Sequence, residues 1–381
     1  MKILHVCTCG PFTDGLSYQE NELIEQHVTL GHDVTVIAAT DTFSAEKKFT
    51  HAPPGISLLR CGAKLIRLPY HFGKLTWLAS KIRLHRGLTA HLDLIRPDRI
   101  LFHGLVAWDL LTVARYVKKN SHVKLFADCH EDFNNSAMTW ASRELLHKRF
   151  YKPIFRRSVA QIDEILCVTV ESLDFAIDFY ESPRAKTRIY PLGGIIESNA
   201  DRECRRRKFR MEYGLNEDDL IIVQTGKLNA NKGLIDALIA FKTITVGRFR
   251  FIIAGQMTDE VHRECWPLVV SDPRIVYLGW QSTGDLRTVL AGADFFLQPF
   301  GQTVTTQMAM CHGCVVLAQD LPSHRWLVRD HGFLFRDASE LKGVMAWVIE
   351  NEFRLEEMKN ASLQFAKENL DYRKLAQQIV Y

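Results

Sequence analysis

Two lysines in residues 220–234, LIIVQTGKLNANKGL, are placed where they could hold an anion. Gly226 ends an apolar run of strand length, and Lys227 follows it. Lys232 comes five residues later, directly before Gly233 and a predicted helix. Two ammonium groups beside a helix N-terminus suit a diphosphate. The segment lacks the G-x-x-x-x-G-K-[ST] pattern of a Walker A loop, and the alternative is that both lysines are ordinary solvated charges.

A second glycine-containing loop follows the first apolar run of the chain. Gly10 and Gly15 flank a turn in CGPFTDGLSYQEN that opens onto a helix, so backbone N–H groups there could face an anion. The loop is not the G-x-G-x-x-G dinucleotide fingerprint, and no acidic residue ends the second strand, so NAD binding is not favoured. A plain strand–helix connection is the alternative interpretation.

Histidines end two neighbouring apolar runs. His130 lies in FADCHEDFNNS among Asp128, Glu131 and Asp132, and His103 lies in LFHGL. A histidine among acids at a strand end can titrate near neutral pH or hold a sugar hydroxyl. A structural role is the alternative for both, and His130 is the stronger candidate.

Residues 311–314, Cys-His-Gly-Cys, could suggest metal or redox chemistry. A zinc site needs a second pair of ligands, and none follows at a suitable spacing. The apolar flanks favour a helix-to-strand turn with buried thiols. We therefore expect no bound metal and no cofactor.

The elements that must position these residues alternate regularly. Short apolar runs separated by amphipathic stretches predict two doubly wound parallel sheets. The first series of strands is predicted at 2–8, 33–39, 99–105, 123–130 and 164–170, and the second at 220–226, 249–255, 274–280, 294–300 and 314–319. In such sheets ligands bind at the carboxyl ends of the strands, which is where the candidate residues lie.

The restart of the pattern predicts the domain organisation. We expect a first Rossmann-like domain over 1–195, a linker over 196–215, a second Rossmann-like domain over 216–360 and a C-terminal helix over 361–381 that could pack back on the first domain. The linker prediction depends on the proline, the two glycines and the charge run of YPLGGIIESNADRECRRRKF.

Composition indicates a soluble protein. The 381 residues are 47% hydrophobic and 24% charged, and the nine cysteines are odd in number and scattered, which favours reduced thiols in the cytoplasm. Neither a signal peptide nor an apolar run long enough to span a membrane is recognisable. The net charge of +4 is mild, and nothing resembles a nucleic-acid-binding module.

Two basic segments contain aromatic residues, KLTWLASKIRLHR at 74–86 and KRFYKPIFRR at 148–157. Such helices can lie on an anionic membrane surface. The alternative is a solvated basic face over an ordinary core stripe.

Together these features resemble the family 4 glycosyltransferases with the GT-B fold, in which two Rossmann-like domains face each other across a cleft. The family's G-[RK]-L-x-x-x-K-G motif is matched from Gly226 to Gly233, and a strand ending in A-G is matched at Ala254-Gly255. The family's E-A-M-A-x-G-x-P-V-V segment is matched in part by QMAMCHGCVV at 307–316. PLGGIIE at 191–197 is similar to the end of the family's first domain. Residues 14–39 resemble the corresponding segment of the family's bacterial polysaccharide-synthesising members.

The chain departs from the family at its E-x7-E motif. Gln307 stands in the place of the second Glu, which the resemblance assigns to the nucleotide ribose, and Pro299 stands in the place of the first, which contacts the donor sugar. The carboxamide oxygen of Gln307 can still accept from ribose hydroxyls. Three polar residues at the predicted helix start, Gln302, Thr303 and Thr305, could orient the sugar by hydrogen bonds.

The resemblance implies a metal-independent retaining transfer of a hexose from a nucleotide diphosphate sugar to a glycan or lipid-linked acceptor. Lys227 and Lys232 would stabilise the leaving diphosphate, and His130 matches the histidine beside the donor sugar in relatives. The donor site would include Gly10, Gly15, Gly226, Gly255, Gln302, Thr303, Thr305 and Gln307.

Two other classes remain open at this point. The missing carboxylates would suit a non-catalytic sugar-nucleotide-binding subunit of a polysaccharide assembly complex. A UDP-sugar epimerase with this fold is less favoured, because it would need catalytic acids that the second domain lacks.

Overall fold

The computed structural model describes residues 1–44, 48–72 and 76–381. The chain divides into two compact units. Unit 1 comprises Met1–Pro191 and Arg373–Tyr381, and unit 2 comprises Leu192–Tyr372.

Unit 1 contains an eight-stranded sheet with helices between its strands. The strands of unit 1 are β1 Lys2–Cys7, β2 Asp33–Ala39, β3 Asp41–Phe43, β4 Phe49–His51, β5 Gly55–Leu58, β6 Lys64–Leu68, β7 Arg99–Phe102, β8 Lys124–Cys129, β9 Glu164–Cys167 and β10 Thr187–Ile189. Its helices are α1 Gln19–Thr29, α2 Thr76–Ile82, α3 Leu88–Ile95, α4 Trp108–Lys119, α5 Lys152–Ser158 and α6 Val170–Asp174, with π-helical turns over Ser142–Tyr151 and Phe175–Phe179. The strand order is β10-β9-β8-β7-β1-β2-β6-β5, parallel except for β5, and β3 and β4 form a separate hairpin.

Unit 2 contains a six-stranded parallel sheet. Its strands are β11 Leu220–Leu228, β12 Phe249–Met257, β13 Ile275–Tyr277, β14 Phe295–Gln298, β15 Val315–Gln319 and β16 Gly332–Phe335. Its helices are α7 Asn199–Glu212, α8 Leu234–Lys242, α9 Asp259–Val270, α10 Thr283–Gly292, α11 Val304–Cys311, α12 Pro322–Leu327, α13 Ala338–Glu350 and α14 Leu355–Asn369. The strand order β13-β12-β11-β14-β15-β16 is that of a Rossmann domain.

Helices on both faces explain the continuous apolar runs of the strands. Side chains alternate along β11, so Ile222 packs in one core with Phe241, while Ile221 packs in the opposite core with Phe209. A strand covered on both faces must be apolar at successive positions, and this confirms the predicted doubly wound parallel sheets.

The segment 196–215, for which we predict a linker, consists mostly of helix α7, which belongs to unit 2. Ser198 begins this helix by accepting a hydrogen bond from the Asp201 backbone N–H. Phe209 is buried against Gly292, where a Cβ atom would lie 2.2 Å from the Phe209 ring. Only part of the charge run faces solvent, since Arg210 is buried on the side of the helix that packs on the sheet.

The C-terminal region contains two helices rather than one. Helix α14 ends at Asn369, and α15, Tyr372–Val380, follows a short break. Residues Arg373–Tyr381 belong to unit 1, where the Tyr190 hydroxyl donates to the Leu375 carbonyl. The first unit is thus completed by the last residues of the chain.

Candidate functional site

The strand order of unit 2 reverses between β11 and β14, and ligands of open α/β sheets bind at such a reversal, beyond the carboxyl ends of the strands. Lys227 lies at the end of β11 and is exposed. Lys232 ends the 3₁₀ turn that follows, and Gly233 begins α8 with a φ of +61°. The loop after β14 carries residues 299–303, directly before α11.

Lys232 is joined to the loop after β14. Its ammonium group is half-buried and donates to the Gln302 carbonyl at 3.2 Å. Burial lowers the pKa of Lys232. Within the described ranges no carboxylate lies within ion-pair distance of it. The structure thus brings Lys232 and Gln302 together and places a cation there without an opposite charge, whereas Lys227 points to solvent.

Glycines allow this edge of the sheet to close tightly. A Cβ atom on Gly233 would lie 2.3 Å from the Phe300 ring and 2.9 Å from the Pro299 side chain. A Cβ atom on Gly255 would lie 2.0 Å from the Gly226 carbonyl of the adjacent strand. Pro299, at the position of the family's first Glu, therefore fills space against Gly233.

The start of α11 is capped by its own side chains. Thr303 is the N-cap and accepts from the Thr305 backbone N–H at 3.4 Å. Gln307 is buried, and its carboxamide satisfies its surroundings when the nitrogen donates to the carbonyls of Thr303 (3.0 Å) and Val304 (3.1 Å). In this orientation the nitrogen is satisfied by carbonyls of the first turn of its own helix.

Further polar atoms near this edge were not predicted from the sequence. The side-chain oxygens of Gln224, Thr225 and Thr306 are buried and have no hydrogen-bond partner among the described residues. Gln224 uses its nitrogen to hold the Lys232 carbonyl at 2.9 Å. The sequence signal for two of them is a polar pair inside an otherwise apolar strand.

Unit 1 has its own reversal of strand order, between β1 and β7. Gly10 follows β1 in open space, since nothing lies within 4 Å of a Cβ atom built there. Gly15 has a φ of +79° and lies against the Arg60 guanidinium. The loop after β7 approaches that after β1, because a Cβ atom on Gly104 would lie 2.6 Å from the Cys9 sulfur.

His130 lies at the end of β8 with its side chain 43% exposed. Its Nε2 is 3.6 Å from Asp128 Oδ1, and His103 Nδ1 lies 2.6 Å from Asp128 Oδ2. Burial lowers the pKa of His130, but Asp128, with Glu20 and Glu131, outweighs it and raises the pKa to about 9. Burial alone would raise the pKa of Asp128, but His103 and His130 hold it well below its usual range.

The Cys311–Cys314 turn is buried as predicted. Cys314 Sγ donates to the Leu290 carbonyl, and burial raises its pKa to about 12. His312 between them is also buried, which lowers its pKa to about 3. In the part of the chain that the structure describes, no group of three or more His, Cys, Asp or Glu residues is arranged to hold a metal ion.

The basic segments lie side by side in unit 1. The Tyr151 hydroxyl donates to the Lys81 carbonyl, which joins 148–157 to α2. Tyr151 and Phe155 are buried, so only part of the second segment reaches solvent, whereas Trp77 is 65% exposed. Lys74 of the first segment lies outside the described residues.

Comparison with protein families identifies both units. The model described as Glycosyltransferase Family 4 matches residues 14–193, and the model described as Glycosyl transferases group 1 matches residues 219–351. No match is found among curated protein sequences.

Solved structures share the fold over nearly the full length. HepE from Anabaena in complex with UDP is 17% identical, with a TM-score of 0.68 over 100% of this chain and 98% of that one. Sucrose-phosphate synthase from Thermosynechococcus elongatus is 14% identical, with a TM-score of 0.69 over 100% and 97%. WaaG, a glycosyltransferase involved in lipopolysaccharide biosynthesis, is 14% identical, with a TM-score of 0.64 over 99% and 98%.

Among the described residues, no helix combines the length and the apolar character that crossing a membrane requires. The two Rossmann-like units and the order of the two matched domains confirm the predicted fold and family. The chain has the GT-B fold and contains a Glycosyltransferase Family 4 domain followed by a Glycosyl transferases group 1 domain.

Proposed function

We propose that this protein is a retaining glycosyltransferase that transfers a hexose from a nucleotide diphosphate sugar to a growing surface glycan. The observation that carries the proposal is the half-buried Lys232 ammonium, which has no carboxylate partner in the described ranges and lies at the reversal of strand order in unit 2. A cation in that position is stabilised by an anionic ligand, and a diphosphate supplies one.

UDP is the first nucleotide to test. HepE structures of the same fold contain UDP, UDP with glucose, and UDP-glucose. WaaG and the galactosyltransferase WaaB belong to lipopolysaccharide synthesis, which supports a surface glycan as product. These proteins are at most 17% identical to this chain, so the donor and the acceptor each need an experiment of their own.

The proposed chemistry uses fixed charges. Lys232, with Lys227 and the N-terminus of α11, stabilises the negative charge that develops on the leaving diphosphate. The Gln307 oxygen accepts from the ribose hydroxyls, and Gln302, Thr303 and Thr305 offer hydrogen bonds to the sugar. The acceptor hydroxyl attacks from the face that the diphosphate leaves. For His130 we propose the place beside the donor sugar that its counterpart has in the family.

The test is calorimetric titration of UDP into Lys232→Ala. Loss of a charge-assisted hydrogen bond should weaken binding by about 1.5–3 kcal/mol. Lys342→Ala, which removes an exposed lysine of α13 in the same unit, is the matched control and should bind as the parent does. Unchanged UDP affinity in Lys232→Ala would show that the diphosphate does not bind beside Lys232.

The second candidate is a non-catalytic sugar-nucleotide-binding subunit, favoured by the proline at the family's first acidic position. Donor hydrolysis or transfer above background separates the two, since a binding subunit gives neither. We also propose that no metal takes part, so activity should survive EDTA. Activity lost in EDTA and restored by magnesium would contradict the proposed chemistry.

For the acceptor we propose a lipid-linked glycan at the inner face of the cytoplasmic membrane. Trp77 and Leu78 of α2 are exposed, and the Lys81 carbonyl of the same helix accepts from Tyr151 of the second basic segment. Vesicle co-sedimentation should then require anionic lipid and weaken with salt, and Trp77→Ser should reduce it. Phe353→Ser, at an exposed residue of unit 2, is the control. Vesicle binding that does not depend on lipid charge would favour the alternative, in which the basic residues form an ordinary solvated surface.

A further inference from the structure

Three histidines and one aspartate form a continuous buried row in unit 1, which we call the histidine chain: His27, His5, His103 and Asp128. His27 Nε2 lies 3.0 Å from the Ala376 carbonyl of α15, and His27 Nδ1 lies 2.9 Å from His5 Nε2. His5 Nδ1 lies 3.0 Å from His103 Nε2, and His103 Nδ1 lies 2.6 Å from Asp128 Oδ2. The row therefore starts at a backbone carbonyl and ends at a carboxylate.

The number of protons in this row follows from its geometry. Each of the four contacts needs one hydrogen, and the two ends are oxygens that accept. Three neutral imidazoles supply three hydrogens, so the row holds one more. Since a carboxylic acid gives up its proton more readily than an imidazolium does, the additional proton resides on His103 and Asp128 is ionised.

The surroundings place the charge at the same end. Burial lowers the pKa of His5 far below its usual value and lowers that of His27 to about 4, so both stay neutral. The chain of donations then fixes their hydrogens on Nε2, and His103 donates from both ring nitrogens. Among the three imidazoles, His103 is then the one left to carry the additional hydrogen, 2.6 Å from the Asp128 carboxylate.

The second carboxylate oxygen of Asp128 connects His103 to the candidate residue His130. Oδ1 has no hydrogen-bond partner among the described residues and lies 3.6 Å from His130 Nε2. The other acidic groups that act on His130 are Glu131 in the loop after β8 and Glu20 on α1. One carboxylate is thus shared by two imidazoles, and the charge on one affects the other.

We propose that His103, oriented by His5 and His27, is a positioning residue that acts on His130 through Asp128. It holds the carboxylate plane so that Oδ1 faces His130, and its positive charge offsets part of the attraction between Asp128 and His130. The role in transfer rests on the proposed function, in which His130 lies beside the donor sugar. The coupling between the two histidines does not, and it can be measured without any donor.

The first experiment is the imidazole nitrogen spectrum of the full chain labelled with ¹⁵N-histidine, at neutral pH. We expect His5 and His27 to carry hydrogen on Nε2 alone and His103 to carry it on both nitrogens. A neutral His103 would overturn the proposal. Because this measurement uses the parent protein, it is decisive even where a variant fails to fold.

The second experiment follows the titration of His130 in His103→Asn. The asparagine amide can still donate to Asp128 but carries no charge, so the carboxylate acts on His130 alone and the His130 titration should move to higher pH. Asp128→Asn should move it to lower pH. His122→Asn, at an exposed histidine of the same unit, should leave it in place. An unmoved titration in both chain variants would overturn the proposal.

Activity then distinguishes this inference from the proposed function. If the titrations shift as expected and no transfer is detected, the coupling stands and the proposed function fails. If transfer is detected and the coupling exists, the pH profile of kcat should shift in His103→Asn in the same direction as the His130 titration. If transfer is detected and its pH profile is the same in His103→Asn as in the parent, the histidine chain has only a structural role and the proposal is overturned.

Discussion

Asp128 in unit 1 and Asp294 in unit 2 are buried carboxylates with several basic partners, and the two lie at opposite edges of their sheets. Asp128 lies near the carboxyl end of β8, paired with His103 and His130. Asp294 lies directly before β14, at the amino end of the strands. Both are about 1% exposed. The similarity in burial therefore contrasts with the difference in position and in partners.

The partners of Asp294 keep their protons at any physiological pH. It accepts from two arginines, one lysine and one backbone N–H, namely Arg206, Arg210, Lys359 and Ile221. The partners of Asp128 are imidazoles, a group that loses its proton at lower pH than a guanidinium or an ammonium does. Since ligands bind at the carboxyl edge, the switchable pair lies on the functional side of its sheet and the permanent network on the other. The same buried group thus has imidazole partners in unit 1 and guanidinium and ammonium partners in unit 2.

The largest effect that tests this contrast is expected from Asp294→Asn. The substitution removes the ion-pair partner of Arg210, which is almost fully buried. Loss of one partner of a buried ion pair costs about 3–5 kcal/mol, so the free energy of unfolding in urea should fall by that amount. UDP affinity of the folded protein should not change, because the network lies at the edge away from Lys232.

Asp320→Asn is the matched control for this prediction. Asp320 pairs with Arg325 at the surface of the same unit, where water replaces the lost interaction. Its unfolding midpoint should stay close to that of the parent. If Asp294→Asn abolished UDP binding while leaving stability intact, the assignment of the two edges would be wrong.

The next largest effect concerns Gln307, on the helix that follows β14 at the carboxyl edge of unit 2. Gln307→Leu removes the acceptor that we assign to the ribose, so UDP-sugar affinity should fall by about 1–3 kcal/mol because hydroxyls are left unpaired. Gln307→Glu keeps an acceptor oxygen and should retain affinity. It should also lower stability, because a carboxylate cannot donate to the carbonyls of Thr303 and Val304. Calorimetry and urea unfolding measure the two effects separately.

If Gln307→Leu bound the UDP-sugar as well as the parent does, the functional assignment of this edge of unit 2 would be wrong. The donor would then lie away from α11, and Gln307 would serve only to cap its own helix. The Glu variant would in that case show the loss of stability and no effect on binding.

The fold was predictable from the sequence because strands covered on both faces are apolar at successive positions. The sequence does not predict β6, because the charged residues Lys64 and Arg67 interrupt the apolar pattern of KLIRL. Helix α7 differs from the predicted linker because its many charged residues conceal the side of the helix that is buried, which includes Phe209 and Arg210. Local composition shows solvent exposure more readily than the few residues that face a core.

The candidate site was predictable only in part, for a related reason. Lys232 and Gln307 could be found because motif spacing places them after a strand and on a helix. His5 and His27 could not, since their partners lie at distant positions in the chain, up to Ala376 in α15. A histidine inside an apolar strand, such as KILHVC, indicates a buried polar partner but does not identify it.

The smallest effect that we predict is the dependence of stability on the charge of His130. Its pKa in the folded protein is raised from 6.5 to about 9, so the charged form stabilises the fold below pH 6.5 and this contribution is lost as the pH rises through about 9. Because the side chain is 43% exposed, solvent screening reduces the contribution to on the order of 1 kcal/mol. Urea unfolding of the parent and of His130→Asn should therefore differ more at pH 6 than at pH 10. The Asp294 network should show no such dependence over that range, because arginine and lysine stay charged through most of it. A His130 contribution that did not change between the two pH values would mean that Asp128 does not stabilise the protonated imidazole of His130, and the contrast between a switchable and a permanent ion pair would be lost.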